Sequence, residues 1–294
     1  MKTKSKSNYQ LGIIYIISSA FCFALMNLFI RLSGDLPTMQ KCFFRNFFAL
    51  IVSIITLAKA KVHFKWGKGN LKYLLGRSIA GCVGMIFNFY AIDNLAISDA
   101  AILNKLSPFA AILFSIILIK EKPNVIEWLS VIVAFIGALF VIKPTGGMGS
   151  MAAIIGVLGG IGAGLAYAFV RKLGIRGEKG MIIVAFFSGF TTIVMTPNLI
   201  INYVPMTMMQ TIFLILTGIV AAGGQICITK AYTFAAAKEI SVYDFTIVLF
   251  TAIFGFIFLD QIPDKLSIVG YVIIIGVAIL KWRLGMRDSY RKEK

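Results

Sequence analysis

The feature that most constrains this chain is a succession of apolar runs, each roughly 18 to 22 residues long and separated by short charged links. A helix needs about 20 apolar residues to cross about 30 Å of hydrocarbon. In that solvent every backbone N–H and C=O must find its partner within the protein, which a helix achieves inside its own segment. The runs predict spans at about 11–31, 41–58, 72–92, 98–119, 125–142, 151–171, 180–200, 208–230, 240–259 and 265–282. Composition agrees: 59% of the residues are hydrophobic and 14% charged, against about 45–50% and about 25% in soluble domains. The first run, Leu11 to Ile30, is longer than a signal-peptide h-region of about 7 to 15 residues and is expected to be a retained span.

The net charge of +17 does not point to nucleic acid, because that partner calls for a basic face on a soluble domain. The charge sits in the loops. Lys and Arg accumulate in cytoplasmic segments. With the N-terminus inside, the inner segments hold 22 of the 29 basic residues and the outer ends five: Arg31, Lys41, Arg45, Lys143 and Lys265. Both termini are therefore expected in the cytoplasm of a multi-pass cell-membrane protein. Cys22, Cys42, Cys82 and Cys227 lie in or beside apolar runs without CxxC spacing, so they read as small core residues, with no metal site or cofactor expected.

An internal repeat sets the domain organisation. Residues 76–138 align without a gap on 216–278 at an offset of 140, placing Gly84 on Gly224, Ala91 on Ala231, Ala96 on Ala236, Phe114 on Phe254, Pro123 on Pro263 and Ala138 on Ala278. Five spans per half is an odd number, so the second half must be inverted relative to the first. The halves are expected at 1–143 and 144–294. Inverted repeats are the architecture of many secondary transporters, whose sites lie near the bilayer midplane between the halves.

Ten spans, two repeats of about 140 residues, the short acidic connection Asp93 to Asp99, and Phe114 to Pro123 echoed by Phe254 to Pro263 together resemble the EamA group of the drug/metabolite transporter superfamily. The resemblance implies an all-α, ten-helix exporter or permease with a central cavity lined mainly by spans 1, 3, 4, 6, 8 and 9. Its four-helix multidrug relatives carry a glutamate in their first span. The first span here has no acid, which argues against export of lipophilic cations by that route.

Ionisable residues inside a span cost at least about 2.5 kcal/mol to insert and normally face the bundle interior or water. Arg45, Arg77, Lys105 and Asp244 are in this class, with Asp93, Arg171 and Lys230 nearer the interfaces. Helical spacing groups them with other polar residues: Arg77, Gly81, Gly84 and Asn88 in span 3; Gly160, Gly164, Tyr167 and Arg171 in span 6; Gly218, Gln225, Thr229 and Tyr232 in span 8; Ser241, Asp244, Thr251 and Gly255 in span 9. Such stripes line a wet cavity, or else bond neighbouring helices across a dry interface. Gly156, Gly160 and Gly164 form overlapping GxxxG steps suited to close packing.

The fourth span, Ala101 to Phe109, is the strongest site, because Lys105 lies roughly 10 Å deep and Pro108 is expected to free a carbonyl near Asn104. The expected substrate-binding set is Lys105, Asn104, Arg77, Asn88, Gln225, Thr229, Tyr232 and Tyr167, and the coupling or gating set is Asp244, Arg45, Asp93 and Arg171. Uniform helical rise separates Lys105 and Asp244 by roughly 13 to 15 Å. On that reading Asp244 pairs with Arg77, Arg171 or Lys230, the outer acids Asp93 and Asp99 pair with Arg45 or Lys105, and the polar groups form an outer and an inner cluster.

Cations outnumber acids within the spans, so a small polar solute that is anionic or zwitterionic is expected, such as an amino acid or carboxylate. Basic groups would also suit a nucleotide sugar. Proton exchange at Asp244 is one expected means of coupling, a permanent ion pair the other. No GxxxxGK[ST] loop is present. A membrane enzyme would need a clustered set of His, Asp or Glu, whereas the single histidine, His63, stands alone in a basic loop. A receptor or scaffold would carry a soluble module, and no loop exceeds about fifteen residues. The remaining expected partner is the lipid bilayer, with the protein a monomer or homodimer.

Overall fold

The computed structural model describes residues 2–94, 103–142, 151–259 and 262–291, and all the regular structure among them is helical. The helices are α1 (Lys2–Leu32), α2 (Thr38–Lys59), α3 (Leu71–Asn94), α4 (Ser107–Ile119), α5 (Val125–Ile142), α6 (Met151–Ile175), α7 (Gly180–Ile201), α8 (Met208–Phe234), α9 (Thr246–Leu259) and α10 (Lys265–Arg291). Among the described residues nine segments are long and apolar enough to cross a bilayer, and α4 is a shorter apolar helix. The chain is a multi-span, all-helical membrane protein. Several helices outrun the apolar cores that predict them, α6 reaching Ile175 and α8 reaching Phe234, because polar residues continue a helix into the headgroup zone without cost to its backbone hydrogen bonds.

Two segments depart from uniform helix. Residues 98–102 of the expected fourth span lie outside the described residues. Leu103 and Asn104 are helical and Lys105 and Leu106 form a turn, closed by the Leu106 N–H donating to the Leu103 carbonyl at 3.1 Å, and α4 starts at Ser107. Pro108 stands in the first turn of α4, where its missing N–H removes no helical bond. The expectation that it frees a carbonyl inside a continuous helix is corrected: it marks a helix start. In the second half the helical turn Ala237–Ile240 runs into the 3₁₀ segment Ser241–Phe245 before α9 begins. At the repeat offset of 140 both helices begin within one position of each other. The 3₁₀ segment also breaks the stripe expected in span 9: Asp244 is buried, but Thr251 is exposed.

The main helix pairings map onto one another when each helix is exchanged for the one five places away. Helix α1 lies against α8 and α9, and α6 lies correspondingly against α3 and α4; α2 pairs with α7, and α5 with α10. The half boundary expected at 143/144 lies outside the described residues. Small residues make the crossings possible, as expected where lipid is as apolar as the side chains. A Cβ on Gly84 would lie 2.9 Å from the Ala163 nitrogen, and one on Gly160 would lie 2.5 Å from the Leu103 carbonyl oxygen. Thus α6 is wedged between α3 and α4, and the GxxxG steps serve packing. Large side chains such as Ile54, Ile117, Ile193 and Val272 point outward, giving the bundle an apolar perimeter.

Candidate functional site

Four ionisable side chains expected within the spans, Arg45, Arg77, Lys105 and Asp244, are set among the packed helices. Lys105, in the turn before α4, pairs with Asp244, in the 3₁₀ segment before α9, with Nζ and Oδ2 3.2 Å apart and each side chain about a tenth exposed (12% and 10%). This overturns the expected separation. The ninth span starts at Ala237, and four residues at about 1.5 Å followed by 3₁₀ residues at about 2.0 Å sink Asp244 to about 14 Å. Little of a roughly 30 Å core is then left between it and a Lys105 backbone about 10 Å from the other side. The flexible four-carbon stem of the lysine closes that gap.

Arg77 of α3 is buried, 2% exposed. Its Nη2 donates to Gln225 Oε1 of α8 at 2.9 Å, and the guanidinium lies 3.6 Å from the Phe187 ring centroid on α7. Its buried Nε has no hydrogen-bond partner among the described residues. Arg45 of α2, 7% exposed, donates to Met26 Sδ at 3.1 Å, Met85 Sδ at 3.3 Å and Asn46 Oδ1 at 3.4 Å. Neither arginine has a carboxylate partner among the described residues. A buried ion without its counter-charge costs several kcal/mol. The ring stacked on Arg77 returns about 2 kcal/mol, and thioethers are weak acceptors.

Tyr167 of α6 and Tyr232 of α8 stack with centroids 5.0 Å apart at 15°. The Lys105–Asp244 contact joins groups expected in separate outer and inner clusters. The expected division into an outer and an inner cluster is corrected accordingly. Thr229 is fully buried with its hydroxyl unpartnered among the described residues and its methyl against Gly180, so it packs against α7. Asn88 contributes backbone to the α3–α6 crossing, and Asn104 is half-buried beside Lys105. The side chain of Asp93 lies outside the described residues, as does Asp99.

The expected partners of Asp244 are engaged elsewhere. Arg77 holds Gln225. Arg171 donates through Nε to Glu121 Oε1 at 3.1 Å and through Nη1 to the Thr233 carbonyl at 3.0 Å, and Lys230 lies against Tyr15. Arg171 thus ties the α4–α5 link to the end of α8. Burial pushes the Glu121 carboxyl above its ordinary value, only partly offset by the hydrogen bond and charge of Arg171. A second tie sits nearby: Glu127 faces Lys238 and Lys281, each at 3.9 Å. Sequence reasoning does not single out Glu121, Glu127, Phe187, Met26 or Met85. Glu121 carries a signal, being an isolated carboxylate between two lysines of the α4–α5 link; Glu127 lies in the first turn of α5, and the methionines and the phenylalanine carry none.

Residues 10–143 match the model of the EamA-like transporter family. The chain is 30% identical over 272 residues, 91% of its length and 94% of the relative's, to the pseudopaline exporter CntI of Pseudomonas aeruginosa. It is 28% identical to human solute carrier family 35 member G1, over 92% of this chain and 80% of that one. A solved crystal structure superposes with a TM-score of 0.80 at 13% identity, over 93% of this chain and 98% of that one, which speaks to the fold alone. With a relative similar along its whole length and a matching family model, the chain belongs to the EamA-like transporter family, and it is a membrane transporter, not an enzyme.

Proposed function

We propose that this transporter exports a small anionic or zwitterionic metabolite, such as an amino acid or carboxylate, across the cell membrane by alternating access. The observation that carries the reading is the pair of buried guanidiniums, Arg45 and Arg77, which have no carboxylate of the protein to balance them among the described residues. A solute that brings its own carboxylate supplies the missing counter-charge, whereas a cation meets repulsion there. The outward direction is taken from the relative named as an exporter. In this reading the two five-helix halves are inverted, both termini face the cytoplasm on the strength of the Lys and Arg distribution, and the unit is a monomer or homodimer.

Thermal unfolding of purified protein against panels of carboxylates, amino acids, nucleotide sugars and organic cations tests the cargo. A ligand at about 100 times its Kd adds about 2.7 kcal/mol, so acidic solutes are expected to raise Tm by several degrees. Stabilisation by organic cations alone would contradict the reading. Coupling is checked by transport of Asp244→Asn in liposomes under an imposed pH gradient. With Asp244 paired to Lys105 at 3.2 Å, gradient dependence is expected to persist, and its loss would make Asp244 the proton carrier.

A further inference from the structure

We infer that the central cluster selects a doubly anionic solute, with one acidic group taken by Arg45 and the other by Arg77. This rests on the transport reading above and narrows its cargo. Lys105 and Asp244 neutralise each other at 3.2 Å, so the uncompensated charge of the cluster is that of the two arginines. Both forks lie along α3, Arg77 Nη1 against Gly81 and Arg45 Nη1 3.3 Å from Met85 Sδ, one helical turn further on. A single negative charge leaves one of two neighbouring buried cations unbalanced, and a pair of acidic groups balances both.

The donors suit that role. A guanidinium offers five N–H groups in a planar fork matched to a carboxylate or phosphate. Arg77 is held flat by Phe187 at 3.6 Å and fixed on one side by Gln225, which leaves a buried Nε without an acceptor. Its fork is therefore oriented before any ligand arrives. Arg45 donates to two thioethers and to one amide oxygen at 3.4 Å. Methionine is flexible and its sulfur a weak acceptor, so Met26 and Met85 yield to an oxyanion where a carboxylate of the protein would not. The Tyr167–Tyr232 stack adds a rigid aromatic wall between α6 and α8.

The test uses full-length protein and three matched series: succinate, adipate and terephthalate, each with its monoamide and diamide, at neutral pH. Affinities come from Tm titrations and from competition in liposome transport. In at least one series the diacid is expected to bind ten-fold or more tighter than the monoamide, with the diamide weakest. Arg45→Gln and Arg77→Gln should each erase the preference for diacid over monoamide, while the unliganded variants are at least as stable as the parent. If a glutamine variant fails to fold, Arg45→Lys and Arg77→Lys keep the charge without the fork, and should retain the preference at lower affinity. Equal binding of diacid and monoamide in all three series overturns the inference while leaving anion transport standing. Binding of organic cations with no response to any acid overturns both.

Discussion

Lys105 and Asp244 are 139 positions apart in the chain and joined in the fold, and each is explained by the other. Either charge alone at that depth would be an uncompensated ion. Lys105→Ala or Asp244→Ala is therefore expected to destabilise by about 3–5 kcal/mol, whereas replacing both with apolar residues of similar volume restores most of the loss. Thermal unfolding of the two single variants and the double variant checks this, and additive losses would mean that the pair is not coupled. The residues of the site are legible in the sequence because an ionisable group in an apolar run is rare. Their partners are not. Uniform rise assigns Asp244 to Arg77, Arg171 or Lys230, and the 3₁₀ segment Ser241–Phe245 has no signature in the sequence that would revise its depth. The contact of Arg45 with methionine sulfurs is equally hidden, since methionines in apolar spans look like any other core residue.

At the scale of the element, the interrupted helices α4 and α9 bring backbone ends and polar side chains to the middle of the bundle, and α6 carries the glycines that let α3 and α4 close on it. Substitution should be asymmetric along the chain. Gly160→Val sets a branched side chain against the Leu103 carbonyl, 2.5 Å from its Cβ, and a backbone atom cannot step aside; a loss of about 1–3 kcal/mol or more is expected. Gly276→Ala in α10 meets nothing within 4 Å and should be neutral or gain up to about 1 kcal/mol from helix propensity. Comparing the Tm of the two variants decides whether glycine here serves close approach at particular crossings or general flexibility. The helices themselves can be read from run length to within a few residues, and the GxxxG steps of α6 announce a crossing that the fold contains. The fourth span reads as continuous because Pro108 is compatible with both a kink and a helix start.

For the whole molecule, exchange-symmetric packing around one polar cluster ties the fold to transport. A cluster that never meets water would be an expensive structural oddity, whereas one that opens to each side in turn is a binding site. Asn104 is half-buried beside the Lys105–Asp244 pair, which makes it the reporter of choice. The decisive measurement places a single cysteine there, Asn104→Cys, in a chain whose Cys22, Cys42, Cys82 and Cys227 have been replaced. Membrane-impermeant thiol reagents are then applied from either face of oriented vesicles. Alternating access around this cluster predicts labelling from both faces and protection by an acidic solute that stabilises the protein. Absence of labelling from either face, with the protein otherwise active in liposomes, would contradict it.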